Sequence, residues 1–251
     1  MTSPSIVQYL LRLGDDRLVL GHRLSEWCGH GPILEEDIAL SNIALDLIGE
    51  ATLLLKLAGE LEGQGRNEDA LAYFRDAVDY RNALLCELPK GDFAFTIVRQ
   101  FFFSVFSLLQ MQALLRSSNA ELAGIAGKAV KEAKYHVRHS AQWVVTLGDG
   151  TADSHARVQH AVDELWRYSG ELFMSDPVEQ EAASAGIGVD PATLLDAWRT
   201  QVTEILGHGR LTVPQDGYMQ RGGRDGRHLE HLGHMLAEMQ IVARSHPGAS
   251  W

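Results

Sequence analysis

The sequence predicts an all-α protein built on a bundle of four long helices, with further helices following it. Three observations carry this. Alternating apolar and polar strand patterns are hard to find in the 251 residues. Apolar residues recur at three- and four-residue spacing over windows of roughly 20 residues or more, the period of a helix with one buried face. Two pairs of such windows are separated by a shorter connecting segment, which is the pattern of a bundle whose second pair returns by a crossover.

The elements follow in order. A first helix is expected from Ile6 to Cys28, closed by Gly29, Gly31 and Pro32. A second spans Leu34 to Leu61, with Glu35, Glu36 and Asp37 in its first turn, where the helix dipole favours negative charge. Gly63 and Gly65 end it. A shorter amphipathic helix from Asp69 to Glu87 is expected as the crossover, followed by a turn at Pro89, Lys90 and Gly91. Two more long helices, Phe93 to Arg116 and Glu121 to Leu147, complete the bundle. Helices at Asp153 to Phe173, Pro191 to Leu206 and Leu229 to Arg244 extend it, the last preceded by a Gly-rich loop. No linker splits the chain, so residues 1–251 are expected to form one domain, with a core bundle over 6–147 and a helical extension over 151–251.

Composition narrows the function. A hydrophobic content of 45% with 22% charged residues is that of a soluble protein with a sizeable core. The net charge of −11 argues against general nucleic-acid binding, which needs clustered cations. Cys28 and Cys86 are too few for a thiolate metal site and fit a reducing cytoplasm. Met1 to Gly14 has neither the basic head nor the cleavage site of a secretory signal. The run Phe101 to Leu115, interrupted by Ser104, Ser107, Gln110 and Gln112, is shorter than the roughly 20 residues a membrane span needs. Its Phe101, Phe102, Phe103 and Phe106, with Met111, are expected to supply both core and subunit interface.

Two long helices, a crossover and two more long helices match a ferritin-like bundle, one option among several on topology alone, and the ferritin-like option can be tested directly on the sequence. A carboxylate-bridged di-iron bundle takes a Glu from each of two helices and a Glu-x-x-His pair from each of the others. No helical Glu here has a His three places on: Glu132 leads to Tyr135, Glu164 to Arg167 and Glu230 to Gly233. The single Asp-x-x-His, Asp225 to His228, lies among Gly222, Gly223 and Gly226 in a loop. Beyond Asp92 the helix from Phe93 to Arg116 contains no acid at all. Asn42, Asp46 and Gly49 share one face of the second helix, and Glu132, His136 and His139 one face of the fifth. The expectation is therefore that Asp46 points inward and that Asp46 and Glu132, with His136 or Arg138, satisfy one another in the space a metal would fill, because buried charges are costly unless paired. A self-sufficient oxidase or ferroxidase would instead need an unconventional site drawn from Asp46, Glu132, His136 and His139.

Several long strings carry a resemblance. Arg227-His228-Leu229-Glu230-His231-Leu232-Gly233-His234-Met235-Leu236-Ala237-Glu238-Met239-Gln240 and the closing Pro247-Gly248-Ala249-Ser250-Trp251 stand at one end. Leu11-Arg12-Leu13-Gly14-Asp15-Asp16, Leu24-Ser25-Glu26-Trp27-Cys28-Gly29-His30-Gly31-Pro32 and Glu36 to Gly49 stand near the other, with Lys131-Glu132-Ala133-Lys134-Tyr135-His136 between. Together they resemble, over essentially the whole chain, the structural, non-catalytic subunits of bacterial phenylacetyl-CoA epoxidase. The resemblance implies a ferritin-like scaffold with no cofactor of its own, paired with a sister subunit that holds the di-iron centre. It also implies further small and reductase subunits in the same assembly, a place in aerobic phenylacetate breakdown, and no turnover by this chain alone.

Two clusters stand outside that scheme. His228, His231 and His234 recur every third residue at the start of the last helix, and His231 and His234 are expected to lie against the partner subunit rather than to bind a metal. Arg221, Arg224 and Arg227 punctuate a Gly-rich loop before a helix N-terminus, a combination suited to phosphate. With the resemblance in view, the CoA moiety is the candidate ligand; the commoner alternative is a solvated loop whose arginines balance nearby acids.

Overall fold

A computed structural model describes residues 4–249; Ser250 and Trp251, part of the closing string above, lie outside them. The fold is all-helical, with no strand among the described residues. The long helices are α1 (Pro4–Ser25), α2 (Leu34–Glu62), α5 (Phe93–Leu114) and α6 (Ala120–Gly148). The crossover contributes the short α3 (Glu68–Tyr73) and α4 (Leu84–Glu87). Beyond the bundle lie α7 (Ala152–Ser169), α8 (Pro177–Ser184), α9 (Leu195–His208) and α10 (Glu230–Ser245).

The bundle consists of two hairpins, α1 against α2 and α5 against α6, set side by side with α2 touching α6. Local chemistry starts each second-pair helix: Asp92 caps α5 through the Phe95 amide, and Asn119 caps α6 through the Leu122 amide. Helix α5 is the central one. Phe101, Phe102, Phe103 and Phe106 are all fully buried within this chain, so the share of them expected at a subunit interface is absent. Phe102 meets Trp166 of α7 and Trp198 of α9 edge-on, and the Trp198 indole donates to the Phe102 carbonyl at 2.9 Å. The helices after residue 151 thus share one apolar core with the bundle.

The crossover differs from the single helix expected over Asp69 to Glu87. It is α3, a 3-10 turn at Ala77–Asp79, extended backbone around Tyr80, and α4. Buried carboxylates of α1 are the physical reason. Asp15 accepts the Arg81 amide at 2.8 Å and Asp16 the Ala83 amide at 2.7 Å, which removes the need for helical partners. The Arg75 guanidinium clamps Asp15 with two further bonds.

Helix α8 is a second departure from the expected elements. Its signal is present in the sequence: Asp176 caps it through the Val178 and Glu179 amides, and Pro177 occupies the first turn. Arg12 of α1 holds α8 down through Asp176 and Glu179.

Candidate functional site

A di-iron bundle gathers its ligands in the interior between the four long helices. A guanidinium stands there. Arg17 of α1 is fully buried, and its Nε donates to Glu50 of α2 at 2.6 Å. Its remaining donors reach the Leu13 carbonyl at 2.9 Å and Ser107 of α5 at 3.0 Å, with the Gln110 amide oxygen at 3.5 Å. Sequence reading missed both charges, although the clue was there. Arg17 lies at helical spacing from Leu10, Leu13, Leu20 and Leu24, and Glu50 from Ile43, Leu47, Leu54 and Leu57, so each shares its helix face with core residues.

The expected residues lie at the nearby seam between α2 and α6. His136 Nε2 meets Asp46 Oδ2 at 3.0 Å, His136 being buried and Asp46 33% exposed. A second pair, His139 with Glu36 at 2.8 Å, bridges the same helices further along, and Tyr135 stacks on His139. Glu132 does not join Asp46 or Arg138. Its ion pair is with Lys128 at 3.5 Å, and its Oε2 is buried without a hydrogen-bond partner. Burial raises its pKa above the usual carboxylate range, and the neighbouring Asp46 and Glu50 add to the rise against the pull of Lys128.

Asn42 and Gly49 turn away from this seam. Asn42 is exposed, and a Cβ placed on Gly49 would meet nothing within 4 Å. Asp46 alone of that trio reaches toward the interior, and only partway. Among the described residues, no three His, Cys, Asp or Glu side chains are grouped so as to hold a metal ion. The donor set at the centre, a guanidinium with one carboxylate, a hydroxyl and an amide, is that of a buried ion pair.

The C-terminal clusters are dispersed. Arg224 turns inward and grips Asp16 with two bonds of 2.9 and 2.8 Å; burial opposes its charge, but Asp16 outweighs this and holds its pKa above the usual range. Arg221 and Arg227 are exposed, and Arg227 pairs with Asp225. The Gly-rich loop is a packed strap: a Cβ on Gly223 would lie 2.0 Å from the Asn82 carbonyl oxygen, and Gly222 and Gly226 have positive φ. Glu171 accepts the Gly222 and Leu84 amides, both at 2.7 Å, and so ties the strap to the crossover.

The three histidines part company in the same way. His228 is nearly buried against Glu87 at 2.7 Å. Burial works against its protonation, yet the hydrogen bond and charge of Glu87 prevail and raise its pKa. His231 is half-buried and accepts the Arg23 guanidinium on its backbone oxygen, and His234 is exposed.

Comparison with known proteins bears on this arrangement. The family model described as phenylacetic acid catabolic protein matches residues 1–251. In the 1,2-phenylacetyl-CoA epoxidase of Escherichia coli (strain K12), the subunit designated C is 47% identical over 246 residues, covering 98% of this chain and 99% of that protein.

Proposed function

The chain belongs to the phenylacetic acid catabolic protein family, and from that premise we propose that it is the structural, non-catalytic subunit of a phenylacetyl-CoA epoxidase, paired with a sister subunit that carries the di-iron centre. The observation that supports this best is the buried Arg17–Glu50 pair. A guanidinium between the helices brings its own positive charge to a space where a di-iron bundle needs converging carboxylates and imidazoles. The seam pairs Asp46–His136 and Glu36–His139 are each complete as hydrogen-bonded couples, and serve to register α2 against α6.

In this reading the chain contributes shape and rigidity to the assembly and leaves oxygen chemistry to the iron of its sister. We further propose a cytoplasmic location, which two unjoined cysteines, exposed Cys28 and buried Cys86, support.

The test is co-expression with the sister subunit of the same organism, followed by epoxidation assays with and without this chain and metal analysis of each purified protein. The expected result is iron in the sister alone, with epoxidation lost or strongly reduced when this chain is omitted. Stoichiometric iron in this chain purified by itself would overturn the proposal.

A further inference from the structure

We propose that the outward face of α2, together with the adjoining basic ridge of α6, is the surface on which the sister subunit docks. The inference rests on the reading that such a sister exists; it adds where the sister sits and what its contact face must look like.

Helix α2 carries two seams. The inner one, Leu40, Ile43, Leu47 and Leu54, is buried against the rest of the chain. The outer one leaves Leu34 72%, Ile38 52% and Leu45 66% exposed, with Leu53 beyond them. From Ile38 it steps through Asn42, Leu45 and Gly49 at intervals of four, three and four, the stepping of a seam that receives another helix. At about 1.5 Å per residue the stretch from Leu34 to Leu53 is roughly 28 Å long. Such a ridge of large apolar side chains on a surface marks a contact with another protein.

Gly49 is the sharper observation. It sits in the middle of a regular helix, where glycine costs about 1 kcal/mol relative to alanine. Nothing in this chain asks for it, since a Cβ there would meet open space. A partner helix approaching closely from outside does account for it, because only glycine lets two backbones meet without a side chain between them.

Charge then says what the partner brings. The chain as a whole is acidic, at −11, yet Lys128, Lys131, Lys134 and Arg138 lie exposed on α6, the helix that α2 touches. Lys131 and Lys134 form no ion pair among the described residues. The fitting occupant is a helix with an apolar seam and an acidic flank. A second copy of this chain would bring the same cations to the contact, which favours the sister subunit over self-association.

The test measures binding of the sister subunit to the full chain carrying Leu45→Glu, Gly49→Leu or the double reversal Lys131→Glu/Arg138→Glu, with Glu204→Gln on the exposed side of α9 as the control. Thermal unfolding of each isolated chain checks folding. Leu45→Glu and Gly49→Leu are expected to raise Kd about tenfold or more without lowering the melting temperature. The charge reversal is expected to slow association and weaken its dependence on salt, and Glu204→Gln to bind as wild type. Wild-type affinity in both Leu45→Glu and Gly49→Leu would overturn the docking surface while leaving the sister-subunit reading intact. Failure of the wild-type chain to bind the sister would remove that reading and this one together. A wild-type homodimer dissolved by Leu45→Glu, or Leu45-dependent flotation with phosphatidylglycerol vesicles, would assign the face to another occupant and refute the proposal.

Discussion

Helices α2 and α5 are alike in composition and opposite in situation. Both are long and apolar enough to cross a membrane by those criteria alone, but 78% of the most apolar stretch of α5 is buried in this chain and only 50% of that of α2. Helix α5 is surrounded: α6 on one side, α7 and α9 on others, with aromatic rings interlocked around Phe102. Helix α2 packs on α1 and touches α3 and α6, and the large apolar side chains of its outer ridge stay exposed. Apolar content therefore says that a face will be covered, and only the packing says whether the chain covers it by itself.

The largest expected effects lie on the inner side of this contrast. Phe102→Ala removes a ring held by two tryptophans and should cost about 3–5 kcal/mol in chemical denaturation. If it costs no more than a surface change, α5 is not the central helix. Arg17→Ala strands the buried Glu50 carboxylate and should cost a similar 3–5 kcal/mol or so, whereas Arg17→Met combined with Glu50→Leu should recover most of the loss. A double variant as unstable as the single one would mean that the pair is worth more than its apolar replacement.

His228, which belongs to neither helix, provides a pH-dependent reference. Its pKa is raised in the folded chain by Glu87, so the stability it adds is fully present below the unfolded value of about 6.5 and is lost as pH rises through the folded value. Melting temperature of wild type relative to His228→Gln should thus fall across that window, and parallel curves would contradict the assignment.

The smallest effects belong to the outer face of α2. Gly49→Ala should stabilise the isolated chain by about 0.5–1 kcal/mol. Leu45→Ala should change it by no more than about 0.5 kcal/mol. A large loss from Leu45→Ala in the isolated chain would erase the contrast with α5 altogether.

The four long helices were legible in the sequence because helical periodicity is a local signal, repeated over many turns in each. Their ends agree with expectation to within about three residues, a margin set by fraying and short terminal turns. The crossover was not legible, because its shape is decided by Asp15 and Asp16, more than 60 residues away in the chain. The same holds for the Gly-rich strap, which reads locally as a flexible, solvated loop and is pressed against Asn82. At the interior seam, helical spacing predicted which residues of α6 face α2, but not that Asn42 and Gly49 look outward. An apolar helix with two seams gives no internal sign of which one the chain will bury. Two acids at the start of an apolar run, as at Asp15 and Asp16, are the kind of clue that can be read in advance.

The strap also constrains the order in which the molecule can be completed. Glu87 receives the Leu229 amide from 142 residues further along, and Asp16 receives Arg224 from 208 residues away. During synthesis these acids emerge well before their partners. The first hairpin can collapse on its apolar surface meanwhile, but the polar joints of α1 and the crossover stay open to solvent until the strap arrives. A chain interrupted before Gly222 is thereby marked as defective: it holds most of the helices and lacks the closure that seals them, which makes it a natural substrate for chaperones and proteases.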